Sequence, residues 1–264
     1  MEEKFIFIDD GNIPFLFASA KHTNVECINH INITMEIVLV DEGTLNMTIG
    51  GKEYSIPSGY GAFVPPLESH LFHSECPNKC HVLMFSTELV GYFFEFTKAN
   101  APKRHIFPVS AASLAITNTI LPNDTNVVDP ISAEAVLAPL CHDIYRGCEF
   151  EKRKTPFDET ALRILEYVSY HFREKISLES IAAAVGVHPV TVSKIFQRKM
   201  NRNFCYYLQY VRCAYAAKLI KMKNMTFAEI AYDSGFGSIR SFNRAFTNVY
   251  GTTPTEYKHR YKEI

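Results

Sequence analysis

The chain has 264 residues, 47% of them hydrophobic and 21% charged, which leaves room for two globular domains that each bury a core. No apolar run reaches the ~20 residues of a membrane span, because Glu88 and Glu95 break the best candidate, VLMFSTELVGYFFEF, so no membrane partner is expected. The formal net charge of -1 hides an asymmetry: residues 160–264 hold 16 Lys/Arg against 7 Asp/Glu and residues 1–159 hold 11 against 21, which makes a polyanion the natural partner of the C-terminal part alone.

In chain order, the opening MEEKFIFIDD is acidic and has no basic n-region or cleavage site, so no secretory signal is read and cytoplasmic residence is expected. Seven cysteines, an odd number without a C-x-x-C pair, agree with free thiols in a reducing compartment. The aromatic stretches FIFIDDGNIPFLF and VGYFFEF read as core. ITMEIVLVDEGTLNMTIGGKEYSI is rich in β-branched residues, with turn signals at Glu42-Gly43 and Gly50-Gly51. PSGYGAFVPPLESHLF and the strand HVLMFST follow. Short strands at even spacing predict an all-β sandwich or small barrel over residues 1–110. The cluster CPNKCH, with Cys76, Cys80 and His81, has no matching half for a zinc site and reads as a solvated loop. His73 and His81 read as strand-surface residues.

Residues 111–157 are expected to be a helical segment and linker. DPISAEAVLAPLCHDIYRG predicts a helix opened by Asp129 and closed by Gly147, with Ile131, Ala135, Leu137 and Ile144 as candidate buried positions. The charged CEFEKRKTPFD is taken as the linker. From Asp158 onward the pattern is helical throughout. Leu162, Leu165, Val168 and Phe172 make one stripe, and Leu208, Val211, Tyr215 and Leu219 another.

Residues 158–264 also contain a repeat. LESIAAAVGVHPVTVSKIF and AEIAYDSGFGSIRSFNRAF align so that Gly186 meets Gly235, Val187 meets Phe236, and, after one inserted residue, Val192, Lys194 and Phe196 meet Phe242, Arg244 and Phe246. Asn201, Phe204 and Tyr207 then meet Gly251, Pro254 and Tyr257. Each copy, about 177–200 and 226–250, has the grammar of a helix-turn-helix. Ser177 and the Thr226-x-x-Glu229 box are N-terminal caps. Gly186 and Gly235 end the first helices in the left-handed conformation, and Asn201 stands where Gly251 does for the same reason. Pro189 suits a first helical turn.

With Val192, Ile195 and Phe196 turned inward, the first copy presents Val190, Lys194 and Gln197, flanked by Thr191, Ser193 and Arg198. With Phe242, Ala245 and Phe246 inward, the second presents Arg240, Arg244 and Thr247, with Asn243 at the edge. Ser238 and Ile239, at the start of that helix, complete the candidate DNA-binding set. Cationic groups beside amides and hydroxyls suit base edges and phosphates in the major groove of double-stranded DNA. Two such helices could enter successive grooves ~34 Å apart. The bland alternative is a helical bundle with repeated packing motifs.

The stretch IAYDSGFGSIRSFNRAFTNVYGTTPTEYK resembles the signature of the AraC/XylS family of bacterial transcription regulators. The resemblance rests on Gly235-Phe236, Phe242-x-Arg244-x-Phe246 and Gly251-x-x-Pro254-x-x-Tyr257; Arg212 fits too. His188 stands where the family has a serine cap, Lys194 where arginine is common, and Val190 and Ile239 are apolar at reading positions, which suits thymine methyl groups. The resemblance implies a DNA-binding activator acting with RNA polymerase, a small-molecule effector, no cofactor and no enzymatic activity. It also implies an N-terminal cupin-like (jelly-roll) sensor domain and, by analogy, the Ile131–Arg146 helix as a homodimer contact; that helix could equally cover the mouth of its own barrel. Two weaker motifs, His30-x-Asn32-x3-Glu36 and Gly59-x5-Pro65-x4-His70, are similar to the cupin motifs and nominate His30, Asn32, Glu36 and His70 as an effector pocket, with no metal expected because Asn32 replaces one ligand. The alternatives are a metal-dependent cupin isomerase or dioxygenase fused to a DNA-binding module, and a ligand-independent regulator controlled by a protein partner.

Overall fold

The computed structural model describes residues 3–4, 17–73, 76–121, 128–200, 202–222 and 225–262. The aromatic stretch ahead of Phe17 and the left-handed conformation expected of Asn201 lie outside them. The chain forms two compact units, one closing at Glu159 and the other running from Thr160 onward.

The first unit is built around one long strand. β1 (Glu3–Lys4), β2 (Phe17–Thr23) and β3 (Val25–His30) precede β4 (Met35–Ile49), and β5 (Lys52–Pro57), β6 (Tyr60–Val64), β7 (His70–His73) and β8 (Asn78–Phe85) follow it. Met35–Leu39 of β4 pairs with β6 and β8, while Thr44–Ile49 pairs with β5 and β7. One strand therefore serves both sheets of a sandwich. The bend falls at a register shift after Val40 and at Gly43, whose φ is 73° and where a side chain would strike the Pro77 carbonyl.

Alternation along β4 sends its residues to two different cores. Met35, Ile37 and Leu39 join Phe17, Phe63, Leu83 and Phe85 on a face covered by helices. Glu36 points to the other face, toward β7. The first unit also contains α1 (Gly91–Ala99), β9 (Asn100–Pro102), β10 (Ile106–Pro108), α2 (Ala111–Ile120), α3 (Pro130–Gly147) and β11 (Phe150–Lys152).

Asp129 caps α3 by accepting the Ser132 N–H, as expected, but the buried stripe is displaced from the expected one. Ala133, Val136, Leu137, Leu140 and Ile144 pack on the sheet, whereas Ile131 is 82% exposed and Ala135 is exposed too. The apolar side of α3 is thus filled by its own sheet. Two further expectations are corrected. Part of the presumed linker is β11, which pairs with β9, and Cys80 and His81 are buried in β8 rather than solvated, with His81 hydrogen-bonded to Ser19. His73 is half-buried and bonds Thr48.

The second unit contains α4 (Glu159–His171), α5 (Leu178–Val185), α6 (Pro189–Met200), α7 (Phe204–Met222), α8 (Phe227–Asp233), α9 (Ile239–Tyr250) and α10 (Pro254–Lys262). Both predicted apolar stripes are buried. The 19 residues of α7, about 28 Å at 1.5 Å per residue, join the two helical pairs α5–α6 and α8–α9. No helix among the described residues is long and apolar enough to cross a membrane.

Candidate nucleic-acid interface and ligand site

Capping and turn chemistry fix the two helical pairs. Ser177 and Ser180 form a reciprocal capping box on α5, and Thr226 and Glu229 form one on α8. At the turns, Gly186 has φ 75° and Gly235 φ 79°. The Val187 N–H donates to the Ala182 carbonyl at 3.0 Å and the Phe236 N–H to the Ala231 carbonyl at 2.9 Å, the same bond in both copies. The alignment of Tyr207 with Tyr257 also has a physical basis. Tyr207 packs on Phe196 with ring centroids 5.4 Å apart, as Tyr257 packs on Phe246 at 5.3 Å.

Two arginines tie these pairs to the scaffold. Arg163 of α4 donates to the Val185 carbonyl at 3.0 Å, holding the end of α5. Arg212 of α7 donates to the Phe172 carbonyl at 2.7 Å and the Glu174 carbonyl at 2.8 Å, and its guanidinium lies 5.9 Å from the Phe236 ring. Gly235 packs against the same segment: a Cβ there would sit 2.7 Å from the Arg173 Cα.

On α6, Val192, Ile195 and Phe196 are buried, and Val190, Thr191, Ser193, Lys194, Gln197 and Arg198 are exposed together. On α9, Phe242, Ala245 and Phe246 are buried, and Ile239, Arg240, Asn243, Arg244 and Thr247 are exposed. Ser238 is half-buried, and its hydroxyl caps α9 by accepting the Ser241 N–H at 3.1 Å. His188 does the equivalent work on α6, its Nδ1 accepting the Val190 N–H at 3.3 Å. Neither α6 nor α9 contains an acidic residue, so each outer face carries positive charge only.

In the first unit, His30, Asn32, Glu36 and His70 come together. The Asn32 amide donates to Glu36 Oε2 at 3.0 Å, and His70 Nε2 lies 3.3 Å from the same oxygen. His70 Nδ1 donates to the Glu68 carbonyl at 3.0 Å, and the His30 ring stacks obliquely on His70 at 4.1 Å. A strained residue pins the loop that carries this carbonyl: Leu67 has φ 66°, and its N–H donates to the Asn32 carbonyl at 2.9 Å. Glu36 and His70 are fully buried, and His30 and Asn32 half-buried. Burial alone would raise the Glu36 carboxyl, but His70, His30 and Asn32 outweigh it and hold it below its ordinary value. Burial likewise works to lower His70, and Glu36 overcomes it and raises the imidazole. Each partner thus favours the charged form of the other, yet Glu36 Oε1 is buried and receives no hydrogen bond from the described residues.

Residues 181–260 match the family model for a helix-turn-helix domain, and residues 12–127 match that for an AraC-like ligand binding domain. An AraC-like ligand binding domain followed by a helix-turn-helix domain is the make-up of an AraC-type transcription regulator. It is 23% identical over 239 residues to YpdC, an uncharacterized HTH-type transcriptional regulator of Escherichia coli K12, with 86% of this chain and 82% of YpdC covered. It is 28% identical over 109 residues to the regulatory protein PocR of Salmonella typhimurium LT2, covering 41% of this chain but only 36% of PocR. In structure it is similar to ToxT from Vibrio cholerae, with a TM-score of 0.64 at 14% identity over 95% of this chain and 96% of that one. The likeness to ToxT shows one fold, a sheet-rich domain followed by a helical domain, over nearly the whole length.

Two contributors to this site escaped the reading of the sequence. Arg163 is one, and its only signal was an arginine interrupting the polar side of α4. The other is the imidazole cap of His188, legible as a departure from serine but not as a substitute for it.

Proposed function

We propose that the chain is a cytoplasmic, sequence-specific activator that recruits RNA polymerase as a homodimer and answers to a small molecule in its first unit. What carries the DNA part is the outer faces of α6 and α9: Val190, Thr191, Ser193, Lys194, Gln197 and Arg198 on one, Ile239, Arg240, Asn243 and Arg244 on the other, with Ser238 fixing the start of α9. Their arginines and amide suit purine edges, their lysine and hydroxyls suit phosphates, and the exposed Val190 and Ile239 suit thymine methyls. Supporting a homodimer is the outer side of α3, where Ile131 and Tyr145 are exposed.

The effector reading rests on Glu36 Oε1, a buried acceptor without a donor among the described residues, set among His30, Asn32 and His70. One structure of ToxT is of that protein bound to an unsaturated fatty acid. A carboxylate would here meet the Glu36 carboxylate, so this site asks for a ligand bearing a hydroxyl, amine or amide N–H. The test is selection of DNA from a random duplex library with and without a small-molecule extract of cells, on the wild type and on Glu36→Gln. An extract-dependent change in affinity that disappears in Glu36→Gln supports the reading; one that persists unchanged sinks it.

A metal is the second reading, because ligand atoms of His30, Glu36 and His70 all lie within 4.8 Å of one another. The donor set fits it poorly. Ligand atoms around tetrahedral zinc lie about 3.4 Å apart, and Asn32 aims an N–H at the carboxylate where a fourth ligand would stand. Metal analysis of the purified chain is expected to find no stoichiometric metal; a full equivalent would restore the enzyme alternative.

A further inference from the structure

A cavity of about 410 Å³ lies elsewhere in the first unit, lined by Phe96, Asn100, Tyr145, Arg146, Cys148 and Phe150. None of His30, Asn32, Glu36 and His70 lines it. Three elements build it. α1 ends at Ala99 and supplies Phe96, the last turn of α3 supplies Tyr145 and Arg146, and the pairing of β11 with β9 brings Phe150 opposite Pro102. The size is that of small-molecule sites.

Its chemistry is specific. Tyr145 and Phe150 both meet Phe96 edge-on, with centroids 5.3 and 4.9 Å away, an arrangement that leaves Tyr145 55% exposed. Cys148 adds a buried thiol, its pKa pushed up to about 12 by burial, so it stays neutral. The cations nearby are mostly engaged: Lys103 with Glu149, Lys98 with Glu95 and Glu159, and Arg153 with the Thr97 carbonyl. Arg104 and Lys152 also lie near, but Arg146 is the one cation among the lining residues, and it makes no ion pair or hydrogen bond among the described residues. One guanidinium without an acceptor beside three rings matches a single negative charge on an apolar body. A phosphate dianion would call for a second cation within the lining, which has Arg146 alone.

We propose that this cavity binds a small organic monocarboxylate, its carboxylate on Arg146 and its aromatic or aliphatic body against Phe96, Tyr145 and Phe150. This is a second site, and only its regulatory consequence rests on the effector reading above. That consequence has a route. α1 also carries Phe94, whose ring meets Phe157 at 5.7 Å, and Lys98, which pairs with Glu159, so the helix that lines the cavity also holds the last residues of this unit.

Calorimetric titration of the full chain tests it, with 4-phenylbutyrate and octanoate as probes and the neutral 4-phenylbutyramide as control. At least one carboxylate is expected to saturate a single site. Arg146→Gln should weaken that binding about tenfold or more while leaving the amide unaffected. Because Arg146 has no internal partner, its variant should melt with the wild type, which separates lost binding from lost folding. Glu36→Gln should leave the titration unchanged, so this site and the buried cluster can fail independently. Failure of both carboxylates to bind, indifference to Arg146→Gln, or loss of binding in Glu36→Gln would each overturn the proposal.

Discussion

The two helix-turn-helix units share a sequence grammar and a backbone, yet they are held with different force. In the first, a Cβ on Gly186 would meet nothing within 4 Å, Val187 is only half-buried, and the cap on α6 is a long bond to an imidazole. In the second, Gly235 is jammed against the backbone of Phe172 and Arg173, Phe236 is buried against Phe242, and Arg212 grips the same segment with two hydrogen bonds. The two copies share the turn and differ in its anchorage. The turn of the second helical pair is held tightly, and that of the first is left open.

Substitution of the turn glycines should break this comparison most visibly. Gly186→Ala incurs the left-handed conformation alone, about 1–2 kcal/mol, whereas Gly235→Ala adds a backbone collision and should cost about 3–5 kcal/mol. Urea unfolding of the full chain, followed by helical circular dichroism, measures both. Equal losses would mean that the anchorage is symmetrical after all. Arginine removal comes next. Arg212→Ala strands the Phe172 carbonyl and takes one of two donors from the Glu174 carbonyl, and should cost about 2–4 kcal/mol, not rescued by lysine, against about 1–2 kcal/mol for Arg163→Ala, which removes one bond.

How much of this was legible in the sequence differed by region. In the second unit nearly all of it was, because caps, glycines and the Phe-x-Arg-x-Phe spacing are local signals that need only a few neighbouring residues. The collision at Gly235 was not, since it depends on Arg173, which is distant in sequence. In the first unit the motif spacing did bring His30, Asn32, Glu36 and His70 together. The face of α3 was misread because apolar side chains occur nearly all round that helix, and Ile131 in its first turn drew the stripe to the wrong side. β11 and the burial of His81 were missed for one reason: both rest on strand pairing or long-range contact, with Ala101 and Ser19 respectively, and charged or polar residues carry no sign of it.

Smaller effects sharpen the comparison at the DNA. Arg240→Ala should cost about 1–3 kcal/mol of binding and relax preference at one base pair, measured by competition among single-base variants of a selected site. Lys194→Ala in the first helical pair should weaken all sequences more evenly and reduce the salt slope by about 1. A uniform loss from Arg240→Ala would reassign that residue to a phosphate. Smallest are the caps: Ser238→Ala should cost about 1 kcal/mol and His188→Ala less, while His188→Ser should be neutral or slightly stabilising in the same unfolding assay.

The central claim, that α6 and α9 read DNA together, is tested most directly by selecting duplexes from a random library with the purified chain at moderate salt. The account predicts two preferred blocks about 10 base pairs apart, with affinity lost when 5 base pairs are inserted between them and the second helix is turned to the wrong side of the duplex. Selected sequences that are no better than random competitor, or a single block indifferent to spacing, would contradict it.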